Sequence, residues 1–132
     1  MNEAIELHDS VLEAVDQRND TVVVTLMPAV FHKSEGKPGV DAGSTFIQDL
    51  MIEFYEAEYH GTVGELPADI LHGDFEAGET LSPNMIRLPW DTRGAVQLTL
   101  YLHPDYRRLS ITGKHMAVRR ISEPECEGSF PP

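Results

Sequence analysis

Apolar and polar residues alternate most clearly between Gly94 and Ile121. Val96, Leu98, Leu100 and Leu102 take one parity, and Gln97, Thr99, Tyr101 and His103 take the other. That is the period of a strand with one buried face. After the turn residues His103-Pro104-Asp105-Tyr106, Leu109 and Ile111 resume the alternation against Ser110 and Thr112. The pattern predicts an antiparallel hairpin whose apolar face centres the core. Gly113 interrupts its second strand, a position suited to a bulge.

Weaker forms of the same signal run through the rest of the chain. Ile5 and Leu7 alternate with Glu6 and His8. Residues 11–27 read as a second hairpin, with Asp16 to Asp20 as its turn and Val22-Val23-Val24-Thr25 as a β-branched strand. The alternative is a helix over residues 10–17 with Ser10 and Glu13 as a capping box, but two turns alone are marginal. Pro28 is expected to end or edge the pairing. Lys33 to Ser44 holds Gly36, Pro38, Gly39 and Gly43 and predicts a long connection, the kind of loop that more often carries function or motion.

Thr45 to His60 shows both periods. Phe46, Ile47, Leu50, Met51, Phe54 and Tyr55 recur at helical spacing. Phe46, Gln48, Leu50, Ile52 and Phe54 also share one strand face, leaving Asp49, Met51, Glu53 and Tyr55 on the other. A helix would carry Glu53, Glu56 and Glu58 towards its C-terminus, against the macrodipole. The strand is preferred. Further short strands are expected at residues 68–75, bent at Gly73, and 85–88, closed by Pro89. Residues 122–132 lack apolar period and end in two prolines, so a flexible acidic tail is expected after a single domain over 1–121. Seven or eight short strands without βαβ alternation imply an all-β fold. The expected architecture is an antiparallel β-sandwich or open barrel, with one short helix within 45–60 as the competing element.

Charge narrows the choice of partner. The 132 residues carry a formal net charge of −12. Residues 1–86 hold 17 acidic and 3 basic side chains, a net −14, whereas residues 87–132 hold 5 and 7, a net +2. This balance argues against nucleic acid, which is bound largely through Lys and Arg, and against anionic membranes. A basic protein partner is compatible with it. No apolar run approaches the roughly 20 residues that span a bilayer, and the opening residues lack the pattern of a signal peptide. Cys126 is the single cysteine, so no disulfide forms within the chain and a cytoplasmic location is expected.

Candidate chemistry is scattered. None of the six histidines falls into His-x-His, His-x3-His or a Cys/His pair, so no metal or other cofactor is expected. Were one to bind, His72 and Asp74, which share a strand face, are the nearest local pair. His8-Asp9-Ser10 holds the residue types of a hydrolase triad, but consecutive strand residues face opposite ways, and no Gly-x-Ser-x-Gly elbow is present. Asp9 or Ser10 is instead expected to bond backbone N–H groups as the first strand turns. Lys37 lies in a glycine-rich loop without the Gly-Lys-Ser/Thr ending of a phosphate loop. Neighbouring carboxylates disfavour a reactive Cys126 thiolate.

Asp49, Glu53 and Tyr55 alternate on one face of the proposed strand. With Trp90 and Tyr101 they make a candidate binding surface, because amphipathic rings stack on ligands and anchor interfaces. Paired carboxylates would also suit a glycosidase; an ordinary solvated sheet face gives the same pattern.

Leu7-His8-Asp9-Ser10, leading into Val11-Leu12-Glu13-Ala14-Val15 and Val22-Val23-Val24-Thr25-Leu26, resembles the opening of small bacterial β-rich proteins, some of them suggested immunity proteins of toxin systems. The resemblance implies a cytoplasmic binding protein with no catalytic residues. The resulting expectation is a non-catalytic domain that presents an acidic and aromatic surface to a basic protein partner. Alternatives are a small-ligand or carbohydrate-binding sandwich using Trp90 and the 33–44 loop, and thirdly a metal-dependent enzyme.

Overall fold

The computed structural model describes the backbone of all 132 residues and every side chain except those of residues 91–93. Eleven strands follow one another: β1 (Asn2–Glu6), β2 (Val11–Arg18), β3 (Thr21–Ser34), β4 (Gly43–Tyr55), β5 (Glu58–Gly61), β6 (Ala68–Ala77), β7 (Thr80–Pro83), β8 (Met85–Leu88), β9 (Asp91–Leu102), β10 (Arg107–Arg120) and β11 (Glu125–Phe130). All pairings are antiparallel and belong to one sheet. Among the described residues no helix is long and apolar enough to cross a membrane.

The expected hairpin is β9–β10, with Leu109 opposite Leu100 and Ile111 opposite Leu98. Its register shifts between Gly113 and His115, where the interruption was expected. Val96, Leu98, Leu100, Leu102, Leu109 and Ile111 are all buried and belong to the main apolar cluster. Successive pairings run β2–β3–β4–β10–β9–β6 and return to β2 through the two-residue link of Val11–Asp69 and Leu12–Ala68. Each of these six strands contributes to the same cluster, at one parity throughout β4 and β9, and with a change of parity across the register shifts of β3 (Leu26 to Ala29), β6 (Ile70 to Phe75) and β10 (Ile111 to Met116). β1 and β8 extend the sheet from β3, and β11 lies on the outer side of β4.

Residues 45–60 hold no helix: strand runs to Tyr55 and, after a bend at residues 56–57, resumes at Glu58. Gln48, Leu50, Ile52 and Phe54 are buried in β4 while Asp49, Met51, Glu53 and Tyr55 take the other parity. The strand count exceeds the expected seven or eight. β5, β7 and β11 are short and mostly exposed, so burial leaves no alternation in them to detect. Pro28 does not end β3; it sits where the register shifts between Leu26 and Ala29, the irregularity that accommodates a residue without an N–H. The segment expected to be a loose tail contains β11, hydrogen-bonded to β4 although all its side chains except the half-buried Phe130 stay exposed.

The two halves of unlike charge are joined by the β4–β10 pairing. Arg119 Nη2 lies 2.7 Å from Glu53 Oε1, and Arg120 Nη2 lies 2.6 Å from Glu3 Oε2 while its Nη1 donates to Gln48. The positive excess of the second half thus neutralises part of the acid of the first.

Candidate functional site

The five residues expected to form one surface are divided among three places. Glu53 and Tyr55 lie together on the outer face of β4. Tyr55 Oη donates to Glu53 Oε2 at 3.2 Å, and its ring stacks on His115 at 5.2 Å. Asp49 lies six residues back along the strand, where its backbone bonds Ile121 and Ser122. Trp90 lies between β8 and β9 and is half-buried. Its ring packs edge-on against Phe75 at 5.0 Å and borders the core. Tyr101 belongs to a third group, 6.0 Å from His72 and 6.4 Å from Tyr106. His72 and Asp74 do meet, with Nε2 3.0 Å from Oδ1.

Directly after Tyr55 in the chain, the β4–β5 bend borders an acidic recess. Glu56 adopts φ +48°, in the left-handed region, which a glutamate enters at a cost of about 1–2 kcal/mol. That conformation turns the chain from β4 into β5. Ala57 N then donates to Asp20 O at 2.7 Å, fastening this bend to the β2–β3 turn. Gly113 permits the close approach: a Cβ there would meet Ala57 Cβ and the Tyr55 carbonyl, both at 3.2 Å. The outcome is a recess of about 470 Å³ bordered by Asp20, Glu56 and Glu58, with Lys114 on its β10 side. All three acids are exposed. Glu58 Oε1 lies 3.2 Å from His60 Nε2. Sequence reading grouped Glu53, Glu56 and Glu58 on one strand; it could not supply Asp20, brought in by a turn 36 residues earlier than Glu56.

A larger recess of about 720 Å³ lies between the 36–40 loop and the β7–β8 corner, bordered by Glu6, Lys37, Val40, Asn84, Met85 and Arg87 among others. The glycine-rich segment singled out in the sequence therefore does wall a cavity. At its edge, His8 and Asp9 are not strand residues. They form a turn after β1, with Asp9 at φ +72°, so the premise that their side chains diverge does not hold. Ser10 behaves as expected of a structural residue: buried, it donates to Glu6 O at 2.6 Å and accepts from Val30 N at 2.9 Å.

Chemically, the acidic recess can receive a cationic side chain, and the larger one mixes charge of both signs with apolar wall. No family model, curated protein or solved structure matches the chain.

Proposed function

We propose that this chain is a non-catalytic binding domain that receives a basic protein partner on the acidic end of the fold. The observation that carries this reading is the convergence of Asp20, Glu56 and Glu58, from two separate turns, on one recess. Like charges held together lower stability unless a cation compensates; Lys114 offsets only one of the three carboxylates, and a left-handed glutamate adds backbone strain at the same place. A Lys or Arg inserted by a partner relieves the repulsion and gains charge-assisted hydrogen bonds. Glu53 is a weaker element of the surface, since Arg119 already pairs with it. A toxin-like partner agrees with the resemblance of residues 7–26. We read the scaffold, from its closed circuit of pairings, as the barrel of the two expected architectures.

The test is kinetic. A labelled arginine-rich peptide should associate with the protein at a rate that falls as salt rises. The triple variant Asp20→Asn/Glu56→Gln/Glu58→Gln should slow association by about tenfold or more in low salt. Equal rates for the two proteins would reject this site.

A second reading rests on the larger recess: a small ligand held under the 36–40 loop, with Lys37 and Arg87 as its polar contacts. Trp90 takes no part in it.

A further inference from the structure

We propose that Glu6, His8 and Asp9 form a site for a divalent transition-metal ion at the edge of the larger recess, with buried His32 positioning Glu6. This inference is independent of the acidic end. One ligand atom from each of the three residues lies within 4.8 Å of the other two. His8 Nδ1 and Asp9 Oδ2 are 3.3 Å apart. Metal–ligand bonds of about 2.0–2.2 Å at tetrahedral angles place neighbouring ligand atoms about 3.3–3.6 Å apart. One pair is therefore already at that separation, and the third ligand atom lies within 4.8 Å of both. The backbone that carries it is fixed from outside: Asn84 Oδ1 accepts from His8 N at 2.7 Å, Asn84 O accepts from Leu7 N at 2.8 Å, and Asp9 N donates to Ile70 O.

His32 supplies the second, separate observation. It is 4% exposed, its ring edge lies against Phe130, and Nδ1 sits 3.2 Å from Thr45 Oγ1. Nε2 has no hydrogen-bond partner among the described residues and faces Glu6 Oε1 at 3.7 Å. A buried polar atom without a partner costs stability, and this one is aimed at a carboxylate. In the tautomer in which Thr45 donates to Nδ1, the proton sits on Nε2, on the side of Glu6. That is how a group behind a ligand orients it and tunes its basicity. One imidazole and two carboxylates, without thiolate, favour zinc, cobalt, manganese or iron over soft copper(I).

Cobalt(II) provides a probe with a visible spectrum. Titrated into the chelator-stripped full chain, it should bind near one equivalent with new absorption bands. His8→Ala and Glu6→Gln should each weaken binding at least tenfold, and His32→Gln by about 10–100-fold, the range for residues behind a ligand. His72→Ala should leave the titration unchanged. His8 is exposed, so its variant remains a test even if His32→Gln fails to fold. Absence of stoichiometric binding, binding indifferent to His8→Ala, or binding lost with His72→Ala would each overturn the site.

Discussion

Leu100→Ala tests the register on which the whole fold depends. Leu100 is fully buried on β9, opposite Leu109 on β10 and Gly73 on β6. Its Cδ2 lies 3.1 Å from where a Cβ on residue 73 would stand, so together with Leu7 it fills the space above a bare glycine. Truncation leaves a void that Gly73 has no side chain to fill, and strands paired on both sides limit collapse. The cost should fall in the upper part of the range for buried leucines, about 3–5 kcal/mol. With an unfolding entropy of about 2.1 cal/mol/K per residue, this corresponds to a melting temperature lower by about 11–18 °C. Thermal and urea unfolding followed by far-UV circular dichroism would measure it, with Tyr101→Ala as the control. Tyr101 has the opposite parity and is half-buried, so its truncation should cost less than half as much. A one-residue slip exchanges the two faces. A loss below about 1 kcal/mol for Leu100→Ala, or a larger loss for Tyr101→Ala, would refute the register.

Two further variants probe the charge balance. Glu53→Gln should lower stability by about 0.2–1 kcal/mol in low salt, because a 15% exposed carboxylate loses its ion pair with a largely exposed Arg119; Glu56→Gln should instead raise the melting temperature, by an amount that shrinks as salt is added. A gain on Glu53→Gln would show that its pairing contributes nothing. Arg107 donates to three backbone carbonyls, Val63, His103 and Glu65, at 2.7–2.8 Å, so Arg107→Ala should cost about 1.5–3 kcal/mol and speed proteolysis within residues 62–67. An unchanged melting curve would contradict this.

What could be read from the sequence followed burial. The β9–β10 alternation was legible because one face is core and the other is not, and β4 was legible once the macrodipole counted against a helix at Glu53, Glu56 and Glu58. β5, β7 and β11 were not, because strands such as Glu125–Phe130, with hardly a buried residue, carry no period. The candidate sites were less legible still. Trp90 packs on Phe75 through a tertiary contact that its neighbours Pro89 and Asp91 do not foretell. His8 and Asp9 were misread because alternation was extended past Glu6 into a turn that Asn84 holds from 76 residues away. Asp20 is brought to the Glu56 bend by the Ala57 N–Asp20 O bond, and Gly113 gives that bend room against β10. Each depends on a partner distant in the chain.

The central claim is that the acidic end receives a basic partner. Amide chemical-shift mapping of the isotopically labelled protein with an arginine-rich peptide addresses it most directly. The account predicts that the largest shifts fall at residues 20, 56–58 and 112–114, and that they vanish in Asp20→Asn/Glu56→Gln/Glu58→Gln. Shifts centred on residues 36–40 and 84–87 instead, or unaltered in the triple variant, would contradict it.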